Sequence, residues 1–192
     1  EALAWLKSEF SIIADSGDNP TAGGVGDRAD VLEAFLEHRI DHSLFAGIAS
    51  KTAYEELKKG DSFKLGGTYG GGGPELKLKA DSVYFKKQCA IVKISKTTVI
   101  ISKLRRPFHY LKDFHELDIN LNDFKILVVK SGYLSPELQS LSTPSFMALT
   151  EGSVNQDLVG IENKYRNKNI YPFQDFDDYK PMISDGESRV TL

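Results

Sequence analysis

Asp15 to Asp27 reads D-S-G-D-N-P-T-A-G-G-V-G-D, which puts three carboxylates, an amide and four glycines into one loop. Glycines let backbone N–H groups approach a bound oxygen, and a helix starting after the loop favours negative charge at its first turn. Asp15, Asp18 and Asp27 work against a free phosphate there. Lys130, at the end of a later apolar run, offsets part of that charge, so Asp15, Asp18 and Lys130 are expected to meet at one rim of the fold. A structural role serves the same residue types: Asp27 as a helix N-cap with Asp30 as its short-armed capping-box partner, Asn19-Pro20 as a turn, and Asp15 or Asp18 paired with Lys130.

Complete catalytic motifs are absent. No G-K-[ST] follows the glycines, and their spacing does not fit G-x-G-x-x-G. The twelfth position counted from Asp15 is Gly26 rather than the Glu of a calcium loop. A serine elbow G-x-S-x-G is missing as well. His38 and His42 stand at i, i+4, but Ile40-Asp41 fall past the expected helix end, and His109 and His115 have no carboxylate pair at metal spacing. This chain alone is therefore expected to hold no zinc site. The lone cysteine, Cys89, lies in a strand and reads as a small buried hydrophobe. Gly70 to Gly73 read as a wide hairpin loop, with a ligand cradle as the alternative. Lys103, Arg105 and Arg106 form a basic run at a strand end, a solvated edge or a guide for an acidic substrate group.

The elements that position these residues follow from periodicity. Ser11–Ala14, Leu44–Ile48 and Phe124–Val129 are short continuous apolar runs, as in strands covered on both faces. Between the first two, Val31, Leu32, Phe35 and Leu36 recur at helical spacing until about Arg39, and Ser50 opens a second helix running to about Lys59. The middle changes period. Phe63–Gly66, Leu76–Phe85, Ala90–Ser95 and Thr98–Leu104 read as hairpin-linked strands, an antiparallel meander over about 61–106. Leu111–Leu117 and Pro136–Leu141 are expected as short helices, Phe146–Leu149 as a last strand, and residues 2–8 as the end of a helix. The fold class is α/β: a mainly parallel central sheet flanked by helices, with the meander inserted mid-chain. One domain is expected over 1–183, with an irregular aromatic stretch from Asn163 and a frayed tail over 184–192. In such sheets ligands gather beyond the carboxyl ends of the strands. That rule collects the loop after Ala14, the Ala49-Ser50 turn and the Lys130-Ser131-Gly132 turn onto one edge.

With 192 residues, 24 basic and 27 acidic side chains and a net charge of -3, the chain has no global field for nucleic acid. No apolar run approaches the roughly 18 residues of a membrane span. No signal peptide is visible, which leaves the cytoplasm as the expected compartment unless a signal lies upstream. The opening E-A-L-A-W-L-K is mid-helix in character, as expected of a domain within a longer protein.

The glycine loop resembles the signature that opens the C-terminal domain of the microcystinase C (MlrC) family, bacterial zinc metallopeptidase-like hydrolases whose usual form is close to D-x-x-D-N-P-G-G-G-x-P-G-D. The resemblance continues in order through L-G-G-T-Y-G-G-G-G-P, the strand leading to Leu104-Arg105-Arg106, I-L-V-V-K-S-G-Y ending at Lys130 to Tyr133, M-A-L-T-E-G, and I-Y-P-F at Ile170 to Phe173, from Ser11 to about Phe176. Thr21 and Ala22 stand where the family commonly has glycines, and Val25 where it has proline. The resemblance implies that zinc is held by ligands of a preceding N-terminal domain, and that this chain is inactive alone. Its acidic loop and Lys130 would then face an interdomain cleft that takes a peptide-like substrate. Asp15, Asp18, Asn19, Gly23, Gly24, Gly26, Asp27, Arg105, Arg106 and Lys130 match recurring positions and become the cleft-facing candidates. The alternative is a non-catalytic module that binds an anionic or polar ligand through the glycine loop.

Overall fold

A computed structural model describes residues 10–141 and 144–162, together with 165, 171 and 173. The expected helix over 2–8, most of the aromatic stretch and the tail lie outside these residues. The chain divides into two compact units, Glu1–Gln156 and Asp157–Leu192. Of the second, the described part is a turn in which Gly160 and Ile161 donate their N–H groups to the Asp157 carbonyl at 3.1 and 3.2 Å.

In the first unit the described strands are β1 (Ser11–Asp15), β2 (Ser43–Ala49), β3 (Ser62–Leu65), β4 (Leu76–Lys79), β5 (Ser82–Lys86), β6 (Cys89–Ile94), β7 (Thr97–Ser102), β8 (Ile126–Lys130) and β9 (Ser145–Ala148). The helices are α1 (Asp30–Glu37), α2 (Lys51–Leu57), α3 (Leu111–His115) and α4 (Pro136–Gln139). Seven strands form one sheet in the order β5-β6-β7-β2-β8-β1-β9, and β3-β4 form a separate hairpin. From β7 to β9 the neighbours are parallel, while β5, β6 and β7 pair antiparallel. Of the expected meander, only β5, β6 and β7 extend the main sheet, β7 belonging to both parts, while β3 and β4 stand apart as their own hairpin. The expected Leu76–Phe85 strand is two strands, because the chain turns at Ala80-Asp81 and β4 pairs only with β3.

Continuous apolar strands need cover on both sides, and they have it. Ile13, Phe45, Val128, Val99 and Ile101 point to one face, under Leu32 and Phe35 of α1 and Tyr54 and Leu57 of α2. Ile12, Leu44, Leu127 and Ile100 point to the other, under Phe114 of α3 and Leu138 of α4. Ser50 caps α2 as expected, its Oγ accepting from the Ala53 N–H at 3.1 Å. β2 carries a bulge at Gly47, whose φ of +86° and contact with the Phe108 ring exclude a side chain: a Cβ would lie 2.7 Å from Phe108 Cδ2.

The connections matter for function. The chain leaves β1 and β2 toward the α1 and α2 face, and leaves β8, which lies between them, toward the α4 face. The carboxyl end of β8 is therefore a topological switch point, and ligands of open α/β sheets bind outside such strand ends.

Candidate functional site

Lys130 closes β8 directly beside Asp15, with which it is in register. Its ammonium Nζ lies 2.9 Å from Asp15 Oδ2 and 3.3 Å from Asp18 Oδ2. All three side chains are almost wholly buried. The rest of their bonding capacity is turned inward too. Asp15 Oδ1 accepts from the Thr150 hydroxyl, Asp18 Oδ1 accepts from the Gly26 N–H at 2.8 Å, and Asp18 Oδ2 accepts from the Arg28 N–H at 2.8 Å. The triad therefore folds the acidic loop back onto the sheet edge. Buried charges persist only when paired and hydrogen-bonded, and this cluster meets that condition.

The loop between these anchors is a set of nested turns. Asn19 Oδ1 accepts from the Thr21 N–H at 2.9 Å and the Thr21 hydroxyl at 2.8 Å, an Asx turn, while its carbonyl accepts from Gly24 N–H at 2.8 Å. Thr21, Ala22 and Gly23 form the exposed crest, whereas Gly24 and Gly26 are buried. Gly23 has a φ of +103° with open space where a Cβ would stand. Arg105, exposed just past the end of β7, donates from Nη1 to the Gly24 carbonyl at 3.2 Å.

Asp27 does not cap α1. That helix starts at Asp30 with Ala29 at the cap position and no side-chain bond. Asp27 instead reaches the second glycine-rich stretch, where its Oδ2 accepts from the Tyr69 N–H and its backbone carbonyl accepts from Gly67 N–H at 3.2 Å. Its Oδ1 is buried without a hydrogen-bond partner, and burial, with the nearby Asp18 charge, pushes its carboxyl above the usual aspartate range. Arg28 ties the same stretch, donating to Gly71 O at 3.1 Å while its fork pairs with both oxygens of Asp30 at 2.9 and 2.7 Å. Gly70–Gly73 thus belong to a wide β3–β4 hairpin loop that rests on the start of the first helix.

Arg106 goes elsewhere: its Nη2 lies 3.5 Å from Asp113 and 3.7 Å from Glu116, and its guanidinium covers the Phe108 ring. Cys89 is buried, and that burial raises its thiol pKa, so it fits the small-hydrophobe reading. His38 follows the last residue of α1 and His42 sits in a turn at φ +58°, so they share no helix face. Three residues with clear parts in this rim are not legible as such in the sequence: Arg28, Tyr69 and Thr150. Their signals are long-range pairings, and a local motif carries none of them.

Among the described residues, no group of three or more His, Cys, Asp or Glu side chains is placed to hold a metal ion. Asp15 and Asp18 already share the Lys130 ammonium, so the position a cation would take between them is filled by a charge of the chain's own. These residues do not fit zinc.

The family model for the MlrC C-terminus matches residues 13–68 and 66–165. The chain belongs to this family. Its fold is shared with the crystal structure of a "Putative metallopeptidase" from Mesorhizobium sp. BNC1, with a TM-score of 0.72 at 14% identity over 93% of this chain. This chain spans only 41% of that one. No curated protein matches this sequence. The family model is that of a C-terminal region. None of the described helices is long and apolar enough to cross a membrane.

Proposed function

We propose that this chain is the C-terminal domain of a hydrolase that cuts peptide or amide bonds, with zinc held by ligands of an N-terminal domain and the glycine-loop rim facing the cleft between the two. Family membership and the metallopeptidase-type neighbour support the reading. The observation that carries it is the convergence of the loop after β1, the turn after β8 and the strand end at Arg105 on the switch-point edge of the sheet. The roles divide by burial. The exposed crest Thr21–Gly23 and Arg105 bind and orient the polar groups of a peptide-like substrate. Asp15, Asp18 and Lys130 are positioning residues that hold the crest from behind, and Asp27 and Arg28 hold the second glycine stretch beside it. Preorganised donors of this kind serve catalysis because they need no rearrangement as charge develops.

The test is made on the full-length protein, assayed for bound zinc and for amidase activity, then repeated with Lys130→Ala and Asp18→Ala. Loss of activity with zinc retained is expected, because the crest loosens while the metal domain is untouched. Near-normal rates in both variants remove the site assignment. The open space over Gly23 favours a second reading, a binding module that works alone. Saturable binding of phosphate, carboxylates or short peptides by the isolated domain supports that one instead.

A further inference from the structure

The cations of the rim fall into two sets. Lys130 is shared by Asp15 and Asp18, Arg28 pairs with Asp30, and Lys103 lies 2.9 Å from Glu55. Arg105 and Lys51 have no carboxylate within ion-pair distance among the described residues, and both are exposed. They differ in how they are held. Lys51 carries its charge on a flexible stem, at a point where its backbone N–H donates to the Tyr69 hydroxyl at 2.6 Å. Arg105 is pinned, because one guanidinium nitrogen is bonded to the Gly24 carbonyl of the buried part of the acidic loop. An Arg has five N–H donors, so most of its fork is left for something outside the chain. Its surroundings are of mixed character: the open crest at Gly23 on one side, and Leu104, 63% exposed, as its chain neighbour.

A fixed guanidinium with free donors, beside apolar surface and exposed backbone, suits a planar anion attached to an organic body. We propose that Arg105 is the anchor for a carboxylate on the substrate, so that the class recognised at this rim is peptide-like molecules with a free carboxylate near the bond or group bound. The proposal rests on the cleft reading above and adds to it the substrate charge. Arg is the residue suited to bidentate recognition of a carboxylate, and Lys is a poor replacement because it offers a point charge rather than a fork.

The experiment uses the full-length protein with acetyl-Ala-Ala and its C-terminal amide, reading kcat/KM where they are cut and Kd by calorimetry where they are not. The free acid is expected to be preferred about ten- to a hundred-fold, as for a charge-assisted hydrogen-bonded pair. Arg105→Gln should erase that preference by weakening the acid at least ten-fold more than the amide, and Arg105→Lys should restore only part of it. Thermal melting of both variants should match the parent, since the side chain is exposed. Equal handling of acid and amide by the parent protein, or equal losses for both in Arg105→Gln, overturns the proposal. Inorganic phosphate is the third probe, and Arg105-dependent binding of phosphate but not of the acid overturns the carboxylate assignment. Arg105-dependent acid binding without any cleavage defeats the hydrolase reading and leaves this one standing. Cleavage without an acid preference does the reverse.

Discussion

The two glycine-rich stretches of this molecule both turn the chain, and they are built in opposite ways. The first, between β1 and α1, is held from inside: Asp18 takes two backbone N–H groups, and the Lys130 ammonium lies against both Asp15 and Asp18. The second, between β3 and β4, has no buried charge of its own. Gly66, Gly67, Gly70, Gly72 and Gly73 all lie at positive φ, and the stretch hangs from Asp27 and Arg28 of the first. Glycine content therefore announces that a chain can turn. Whether the turn is rigid depends on what is buried beneath it.

The sharpest way to break this contrast is to remove the charge under the first loop. Lys130→Met leaves two buried carboxylates facing each other, and breaking a buried pair costs about 3–5 kcal/mol. Urea denaturation should show that loss, or no folded protein at all. Adding Asp15→Asn and Asp18→Asn to Lys130→Met should recover part of it, because the unpaired charges are then gone. The matching change in the second stretch, Tyr69→Ala, removes a half-exposed ring and no buried charge. It should stay within about 1 kcal/mol. Equal losses in both stretches would end the distinction.

Glycine substitutions sharpen it further. A Cβ on Gly17 would lie 2.0 Å from the Thr150 carbonyl oxygen, and one on Gly66 would lie 2.2 Å from the Pro74 carbonyl oxygen. Both neighbours are backbone and cannot swing aside. Gly17→Ala and Gly66→Ala should each cost about 2–3 kcal/mol by overpacking, seen as a lower denaturation midpoint. Gly23 and Gly70 have nothing within 4 Å of the added carbon, and only their φ of +103° and +84° resists it. For Gly23→Ala and Gly70→Ala the expected cost is about 1 kcal/mol, from the left-handed backbone alone.

Much of the frame was readable because it rests on local signals. The apolar runs at Ser11–Ala14 and Phe124–Val129 fall in parallel neighbours β1 and β8, and that adjacency brings Asp15 to Lys130 across 115 positions of sequence. Hydrophobic period and the strand-end rule suffice for that much. Asp27 shows where such reasoning stops. A carboxylate just ahead of a helical pattern has the chemistry of an N-cap, yet here it turns to the Tyr69 N–H, 42 positions away, and the helix starts at Asp30 with no side-chain cap. Arg106 shows the same limit from the other side. Arg105 and Arg106 are adjacent basic residues at a strand end, but one faces the loop and the other packs on Phe108 and pairs with Asp113. Sequence shows their charge; only the path of the chain after β7 separates their partners.

Asp27 also provides the smallest and most specific test, because its effect is read against pH rather than as a single loss. Burial raises its carboxyl pKa, the Asp18 charge adds to the rise, and the Tyr69 N–H bond and the Lys130 charge oppose it. A carboxyl that holds its proton more tightly in the folded state than in the unfolded state gives stability that is full at pH below its unfolded value. That stability is lost as pH rises through the raised folded value. The sign is opposite to that of surface carboxylates such as Glu55 and Glu75, whose lysine partners lower their pKa, so that their contribution appears as pH rises. Asp27→Asn keeps an oxygen for the Tyr69 N–H and cannot ionise. The difference in unfolding free energy between the parent and this variant should therefore shift against the parent as pH rises from the acid range toward neutrality. A difference that stays constant with pH would mean that Asp27 does not titrate there, and that the second stretch is tied by Arg28 and the backbone instead.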